Sequence, residues 1–204
     1  AIRKHYEKVL ADSEFASRYP ERKRQIEQFN FVTLDSTKEE NKGVLDPIVI
    51  LGKNYVISTA KNILTYLLQD MELSLKQRTA LQEAINTVVE RRLAGETVGF
   101  YNVIDELINS SVEEIANLGA YLASLIKNSI LELAFSYGDV KGLDYEKRVT
   151  ILEVADLTLP KSNGKNEEKK ISDHERNSIA LMFALGAFCT CFGERDQYED
   201  TIVF

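Results

Sequence analysis

The feature that most constrains this chain is an uncharged stretch at residues 178–193. Ser172 and Glu175 precede it at the spacing of a capping box, in which each side chain binds the other residue's backbone N–H. The apolar residues that follow cover most of a helix surface, a pattern typical of a buried helix. They are Ile179, Leu181, Met182, Phe183, Leu185, Phe188, Cys189 and Phe192. We therefore predict a capped, buried helix that ends at Gly193.

Short runs of β-branched and apolar residues predict strands at residues 31–34, 149–154 and 201–204. The order strand, helix, strand over the last two runs predicts a βαβ unit with parallel strands. Residues 161–170 contain no apolar side chain, so this stretch is predicted to be a solvated, mobile loop. In a parallel sheet such a loop lies at the carboxyl ends of the strands, where ligands bind.

The N-terminal part of the chain is polar and helical in pattern. Residues 2–10 and 21–29 are rich in charge and carry thin apolar stripes, which indicates two exposed helices. The break between them falls at Tyr19-Pro20, because a residue before proline disfavours the helical conformation. Residues 48–51 form an apolar run that fits either a strand or an apolar lead-in to the next helix.

Apolar residues recur at helical spacing through the middle of the chain. The predicted helices are residues 55–71, a segment behind the capping box Ser74-x-x-Gln77, residues 100–108, and a long stripe from Ile115 to Leu133 behind a further capping box, Ser111-x-x-Glu114. Gly95 and Gly138 fit the ends of the second and fourth of these helices. Four helices joined by short loops predict a small bundle.

Charge and residue counts exclude several classes of protein. The net charge of −7 over 204 residues excludes a general nucleic-acid binder and leaves no strong nucleic-acid signal. The two cysteines, Cys189 and Cys191, are predicted to be buried thiols. With His5 and His174 as the only histidines, the sequence offers no metal-ligand cluster. No uncharged run reaches the roughly 20 residues that span a bilayer, so we expect no transmembrane segment.

No residue is assigned a catalytic, cofactor-binding or metal-binding role. Gly52-Lys53-Asn54 invites a phosphate-loop interpretation, but no glycine stands five residues before Gly52. Asn54 also replaces the Ser or Thr that binds magnesium in such loops. The carboxylates lie mainly on polar helix faces and in loops, and no pair stands out as an acid/base couple.

Several local motifs occur in the order found in one known family. Val44-Leu45-Asp46-Pro47 follows the first strand, a helical insertion comes next, and residues 150–160 end in Asp156-Leu157-x-Leu159-Pro160. The capped apolar helix and the closing Asp200-x-Ile202-Val203-Phe204 complete the set. Over residues 31–204, this pattern resembles the cytoplasmic motor ATPases of type IV secretion and conjugation systems, the TraC/VirB type with a RecA-like core.

The resemblance implies the fold class α/β, predominantly helical, with a partial RecA-like parallel sheet that carries a helical insertion subdomain. The predicted domains are residues 1–53, with the N-terminal helices and first strand of the ATPase core, and residues 54–140, the helical insertion. Residues 141–204 are predicted to form the strand-helix-strand part of the core.

The resemblance also implies a function. The chain is expected to be a fragment of a P-loop motor that energises substrate transfer or pilus assembly with other subunits of the apparatus, as a homo-oligomer in the cytoplasm, at the inner face of the membrane. The intact motor uses ATP and Mg²⁺, but no Gly-x-x-x-x-Gly-Lys-Ser/Thr is present here. We expect the phosphate loop upstream of Ala1 and an Asp-Glu pair within two residues after Phe204, so this chain alone is expected to be inactive. The alternative is a non-enzymatic helical protein-interaction module.

Overall fold

The computed structural model describes residues 2–141, 149–160 and 171–194. The loop predicted at 161–170 and the strand predicted at 201–204 lie outside these residues. The chain divides into two compact units, one with the N-terminal helices and the strands, the other with the remaining helices. The domain boundaries expected at 53/54 and 140/141 stay a prediction.

The first unit contains three helices and two strands in its described part. They are α1 (Ile2–Ala11), α2 (Ser13–Arg18), α3 (Pro20–Glu27), β1 (Phe29–Leu34) and β2 (Val149–Val154). The break predicted at Tyr19-Pro20 is confirmed, because Pro20 begins α3, where its missing N–H costs nothing. The Asp12 side chain caps α2 by accepting hydrogen bonds from the first-turn backbone.

β1 and β2 are parallel neighbours, in register from Phe29 opposite Val149 to Leu34 opposite Val154. The Tyr6 ring of α1 lies 5.2 Å from the ring of Phe29 and 5.8 Å from that of Phe31, between centroids, so aromatic contacts hold α1 against β1. Parallel neighbours need a long crossover connection, and here the crossover includes most of the second unit. The predominantly helical α/β fold with a parallel sheet is confirmed.

The second unit is helical in its described part. Its elements are α4 (Pro47–Ile50), α5 (Lys53–Leu67), α6 (Leu75–Leu93), α7 (Phe100–Ile108), α8 (Glu113–Ile126) and α9 (Asp173–Gly193), with 3₁₀ turns at Glu39–Asn41 and Ile130–Leu133. α7 packs on α8 and α6, and α5 packs on α9. The apolar run at 48–51, which fitted either a strand or a lead-in, begins as the short helix α4.

Two of the three predicted capping boxes are confirmed. Ser74 with Gln77 caps α6, and Ser172 with Glu175 caps α9. The capping box predicted at Ser111 is wrong, because α8 begins two residues later and its N-cap residue makes no side-chain capping bond. The neighbouring Ser110 instead accepts a hydrogen bond from the N-cap residue's backbone, which ties up the turn before the helix.

The long stripe behind Ser111 was predicted as one helix reaching Leu133, and this prediction is wrong. α8 ends at Ile126, and Asn128 has a positive φ of 56°. Asparagine tolerates this left-handed conformation better than most residues. The Glu132 carboxylate accepts a 2.9 Å hydrogen bond from the Asn128 backbone, so the break is stabilised and a short 3₁₀ turn continues the chain.

α9 was predicted to be buried nearly all round, and the structure corrects this. One face is buried, with Leu181, Ala184 and Phe188 among its residues, whereas Met182 is 41% and Phe183 36% exposed. Among the described helices, α9 has the length and apolar composition to cross a membrane. Core helices of globular domains pass the same test, and the buried face of α9 packs within the second unit.

Candidate functional site

A fully buried carboxylate, Asp46, lies at the start of α4 in the second unit. The residue precedes Pro47 and takes the N-cap position of α4, with its Oδ1 accepting a 2.8 Å hydrogen bond from the Ile48 backbone. Asp followed by Pro at the first helical position is a favourable helix start. This hydrogen bond joins residues only two positions apart in the sequence.

The second carboxylate oxygen of Asp46 binds two segments distant in sequence. Oδ2 accepts from the backbone N–H of Phe100 at 2.8 Å, from the backbone N–H of Ser136 at 3.0 Å and from the Ser136 hydroxyl at 2.5 Å. We call Asp46, Ile48, Phe100 and Ser136 the Asp46 hub. It joins the start of α4, the start of α7 and the segment that follows α8.

Two glycines beside the hub leave room for this close approach. A Cβ at Gly99 would lie 2.6 Å from Asp46 Oδ2 and 2.5 Å from the Ser136 carbonyl oxygen. Gly138 has a φ of +91°, and a Cβ there would lie 2.4 Å from the Val98 carbonyl oxygen. The Gly138 N–H also donates to the Ser136 hydroxyl at 3.1 Å. The backbone around the hub therefore has no space for larger residues.

Aromatic rings extend from the hub towards the surface. Phe100 and Phe135 stack with their centroids 4.3 Å apart and their planes within 4°. Tyr101 contacts the ring of Phe135 and stacks on Tyr137. Burial raises the pKa of Tyr101 to about 12, so its phenol stays neutral. The rings fix the two distant segments side by side and add apolar area to the polar contacts.

Burial raises the pKa of Asp46 to about 6, and the hydrogen bonds from Phe100, Ser136 and Ile48 oppose that rise. Both carboxylate oxygens are engaged by donors of the protein itself. A general acid or base must reach a substrate proton, and this carboxyl group is closed off from solvent. The hub is therefore a structural tie, not an acid/base centre.

A second tie lies at the start of α9. Arg176, 8% exposed in its side chain, forms ion pairs with Asp70, which follows α5, and with Asp173 at 3.7 Å. The backbone N–H of Thr158 donates a 3.0 Å hydrogen bond to the hydroxyl of the buried Ser178. These contacts attach the first turns of α9 to α5 and to the segment that follows β2.

Two aspartates lie within two residues of the ends of the strands. Asp35 comes after β1 and accepts from the backbone and hydroxyl of Thr37 at 3.0 and 2.6 Å, contacts that hold its pKa below the usual range. Asp156 comes after β2 and adopts a positive φ of 59°. Within the described residues, no three His, Cys, Asp or Glu side chains are grouped as metal ligands would be.

The cysteines of α9 are half-buried free thiols in the structure, and burial raises the pKa of Cys189. His5 contacts the ring of Tyr6 in α1, and His174 is exposed in the first turn of α9. The structure brings none of these groups together as a reactive set within its described part.

The sequence pattern singled out the segment with Asp46 but not the role of its side chain. The Asp-Pro step before an apolar run signals an N-cap, which is the local half of the hub. The hydrogen bonds from Phe100 and Ser136 have only one signal in the sequence, which is the presence of glycines at positions 99 and 138 beside short apolar runs.

The sequence profile of the AAA-like domain family matches residues 4–204. The chain belongs to the AAA-like domain family. This AAA-like domain therefore comes from an ATPase-type family of the P-loop class, which is the coarser part of what the motifs predicted.

The AAA-like domain is also similar to a curated protein of Bacillus subtilis (strain 168), named "Uncharacterized protein YddE". The two are 33% identical over 206 residues, which covers 100% of this chain and 24% of YddE. The chain thus spans about a quarter of that relative's length. No solved structure matches the AAA-like domain significantly.

Proposed function

We propose that this AAA-like domain is part of a motor ATPase of conjugative transfer or type IV secretion, which energises substrate transfer or pilus assembly. The family match over residues 4–204 carries the proposal, and AAA-like domains of this family occur in conjugation ATPases. The parallel, in-register pairing of β1 with β2 supports it. In this proposal the motor works in the cytoplasm, at the inner face of the membrane, as a homo-oligomer with other subunits of the apparatus.

ATP and Mg²⁺ bind, in this proposal, outside residues 1–204 of the motor. Phosphate binding needs a glycine-rich loop of backbone amides, and the metal needs a Ser/Thr and an acidic side chain. The sequence contains no Gly-x-x-x-x-Gly-Lys-Ser/Thr. The role of the present residues in this proposal is therefore mechanical, since the Asp46 hub ties the start of α4 to the start of α7 and to the segment that follows α8.

Three measurements test this function. The whole protein that contains this chain should hydrolyse ATP, and deleting its gene should abolish transfer of a mobile DNA element from cells, with restoration by the wild-type gene. The 204-residue chain alone should show no micromolar affinity for Mg-ATP in calorimetry. Transfer that proceeds unchanged without the gene, or a whole protein without ATPase activity, would leave the helical interaction module as the better account.

A further inference from the structure

An open groove of about 640 Å³ lies between α5 and α6 and the loop that joins them. Its floor includes Leu68 and Leu81, which are 2% and 5% exposed and belong to the core. Binding sites for organic ligands and peptide side chains occupy roughly 300–1,000 Å³. The groove is therefore large enough to receive several side chains of a partner.

The loop end of the groove presents apolar surface to solvent. Met71, which lines the groove, is 40% exposed, and Leu75, the first residue of α6, is 80% exposed. Leu75 precedes two groove-lining residues, Arg78 and Thr79, by three and four positions, and residues at this spacing share a helix face. The apolar floor and these exposed side chains lie next to one another on the same end of the helix pair.

The charge of the groove differs from that of the chain. Its charged lining residues are Lys61, Arg78 and Glu83, two cations and one carboxylate, whereas the whole chain carries −7. Lys61 lies on α5 and Arg78 on α6, so a cation stands on each wall. The Arg78 Nε donates a 3.2 Å hydrogen bond to the Leu73 carbonyl oxygen, which holds its guanidinium at the loop end.

We propose that this groove is the docking site for an amphipathic helix of a partner protein, with apolar anchors on one face and carboxylates beside them. An apolar helix face laid into a hydrophobic groove is a recurring mode of recognition. The anchors cover the floor, Met71 and Leu75, and the flanking carboxylates meet Lys61 on one wall and Arg78 on the other. The groove wall from Lys61 to Leu68, the last turns of α5 and its C-cap residue, matches about two turns of such a helix.

The probe for this site is a synthetic, fluorescein-labelled helix of leucine and glutamate with leucines at i, i+3, i+4 and i+7. Its partner probe carries lysine in place of every glutamate. In fluorescence anisotropy with the 204-residue chain, the glutamate peptide should bind with a Kd on the order of 10–100 µM, at least about tenfold tighter than the lysine peptide.

Three variants locate the binding. Lys61→Glu combined with Arg78→Glu should weaken the glutamate peptide about tenfold or more, whereas Lys76→Glu, an exposed charge reversal on α6 outside the groove lining, should change it less than about twofold. Thr65→Trp fills the groove from an exposed position on α5 and should weaken both peptides. The circular dichroism of each variant should match that of the wild type.

Amide chemical shifts of the isotopically labelled chain give the second readout. The glutamate peptide should perturb residues 61–83 more than residues of α8. Docking in the groove is overturned if the glutamate peptide shows no binding at about 1 mM, if the lysine peptide binds as tightly, if the double variant or Thr65→Trp binds unchanged, or if the perturbed amides lie elsewhere.

Discussion

Replacing Asp46 by alanine tests the hub directly. The backbone N–H of Ile48 loses its N-cap acceptor, which costs about 1 kcal/mol. The backbone N–H groups of Phe100 and Ser136 become buried donors without an acceptor, at about 1–3 kcal/mol each. The Ser136 hydroxyl can rotate, so we assign it no cost. The free energy of unfolding should therefore fall by roughly 3–7 kcal/mol, a large part of the about 5–15 kcal/mol typical of a domain.

The assay is urea unfolding of the 204-residue chain followed by circular dichroism, with the midpoint and slope compared between wild type and variant. Asp35→Ala is the matched control, because it removes a carboxylate from the same unit whose hydrogen bonds come from the nearby Thr37. We expect a much smaller loss for this control. A fall of less than about 1 kcal/mol for Asp46→Ala would refute the hub as the tie between the three segments.

The remaining predictions concern the pH dependence, the glycines and the helix caps. The pKa of Asp46 is raised from 3.8 to about 6 in the folded state. At a pH between these two values, the Asp46 carboxyl group is therefore protonated in the folded chain and ionised in the unfolded chain. The wild type should therefore gain stability relative to Asp46→Asn as pH falls from 6 to 4 in urea titrations, and an equal pH slope in both would contradict this. Gly138→Ala should lower the free energy of unfolding by more than about 2 kcal/mol, because the new Cβ would meet the Val98 carbonyl oxygen and the backbone there is left-handed. Gly186→Ala is the control, because a Cβ at this position in α9 would meet open space. It should raise the free energy of unfolding by about 0.5–1 kcal/mol. Ser172→Ala should remove the cap of α9 and cost about 1 kcal/mol, measured by the same unfolding midpoint, and an unchanged midpoint would show that the cap adds no stability.

The helices were predictable wherever local pattern and local capping agree. α7 and β2 have the bounds read from the sequence, and the boxes at Ser74 and Ser172 begin the helices they were predicted to begin. Ser111-x-x-Glu114 has the same spacing and fails, because Ser110 engages the turn first. The capping-box pattern cannot distinguish these cases, since it does not include the residue before the Ser, which here is Ser110.

The partners of Asp46 could not be predicted, because they lie 54 and 90 positions further along the chain. Periodicity describes one helix at a time and says nothing of which loop another helix will meet. The long stripe ending at Leu133 failed for a related reason. Its apolar spacing continues through Asn128, where a hydrogen bond from the backbone to the Glu132 side chain outweighs the helical pattern.

The pairing of residues 43–45 with residues 132–133 has a consequence for the order of folding. The first paired residues of the sheet, Phe29 and Val149, lie 120 positions apart. In the helical unit the backbone N–H groups of Gly43 and Leu45 donate to the carbonyl oxygens of Glu132 and Leu133, each at 2.8 Å. Once these bonds form, the loop left to close before the strands meet shortens to roughly 30 residues, two halvings worth about 1.2 kcal/mol of closure entropy.

The helical contacts between the two strands in sequence should therefore form before the strands pair. The local helical contacts form first, and the parallel strands join after them, as expected where distant pairings are slow to form. During synthesis the sheet waits until β2 has left the ribosome, whereas the helices from α4 to α8 can close on one another as soon as the segment around Ser136 emerges. Destabilising that closure should slow the folding rate of the whole chain, and a change in β1 should mainly speed unfolding.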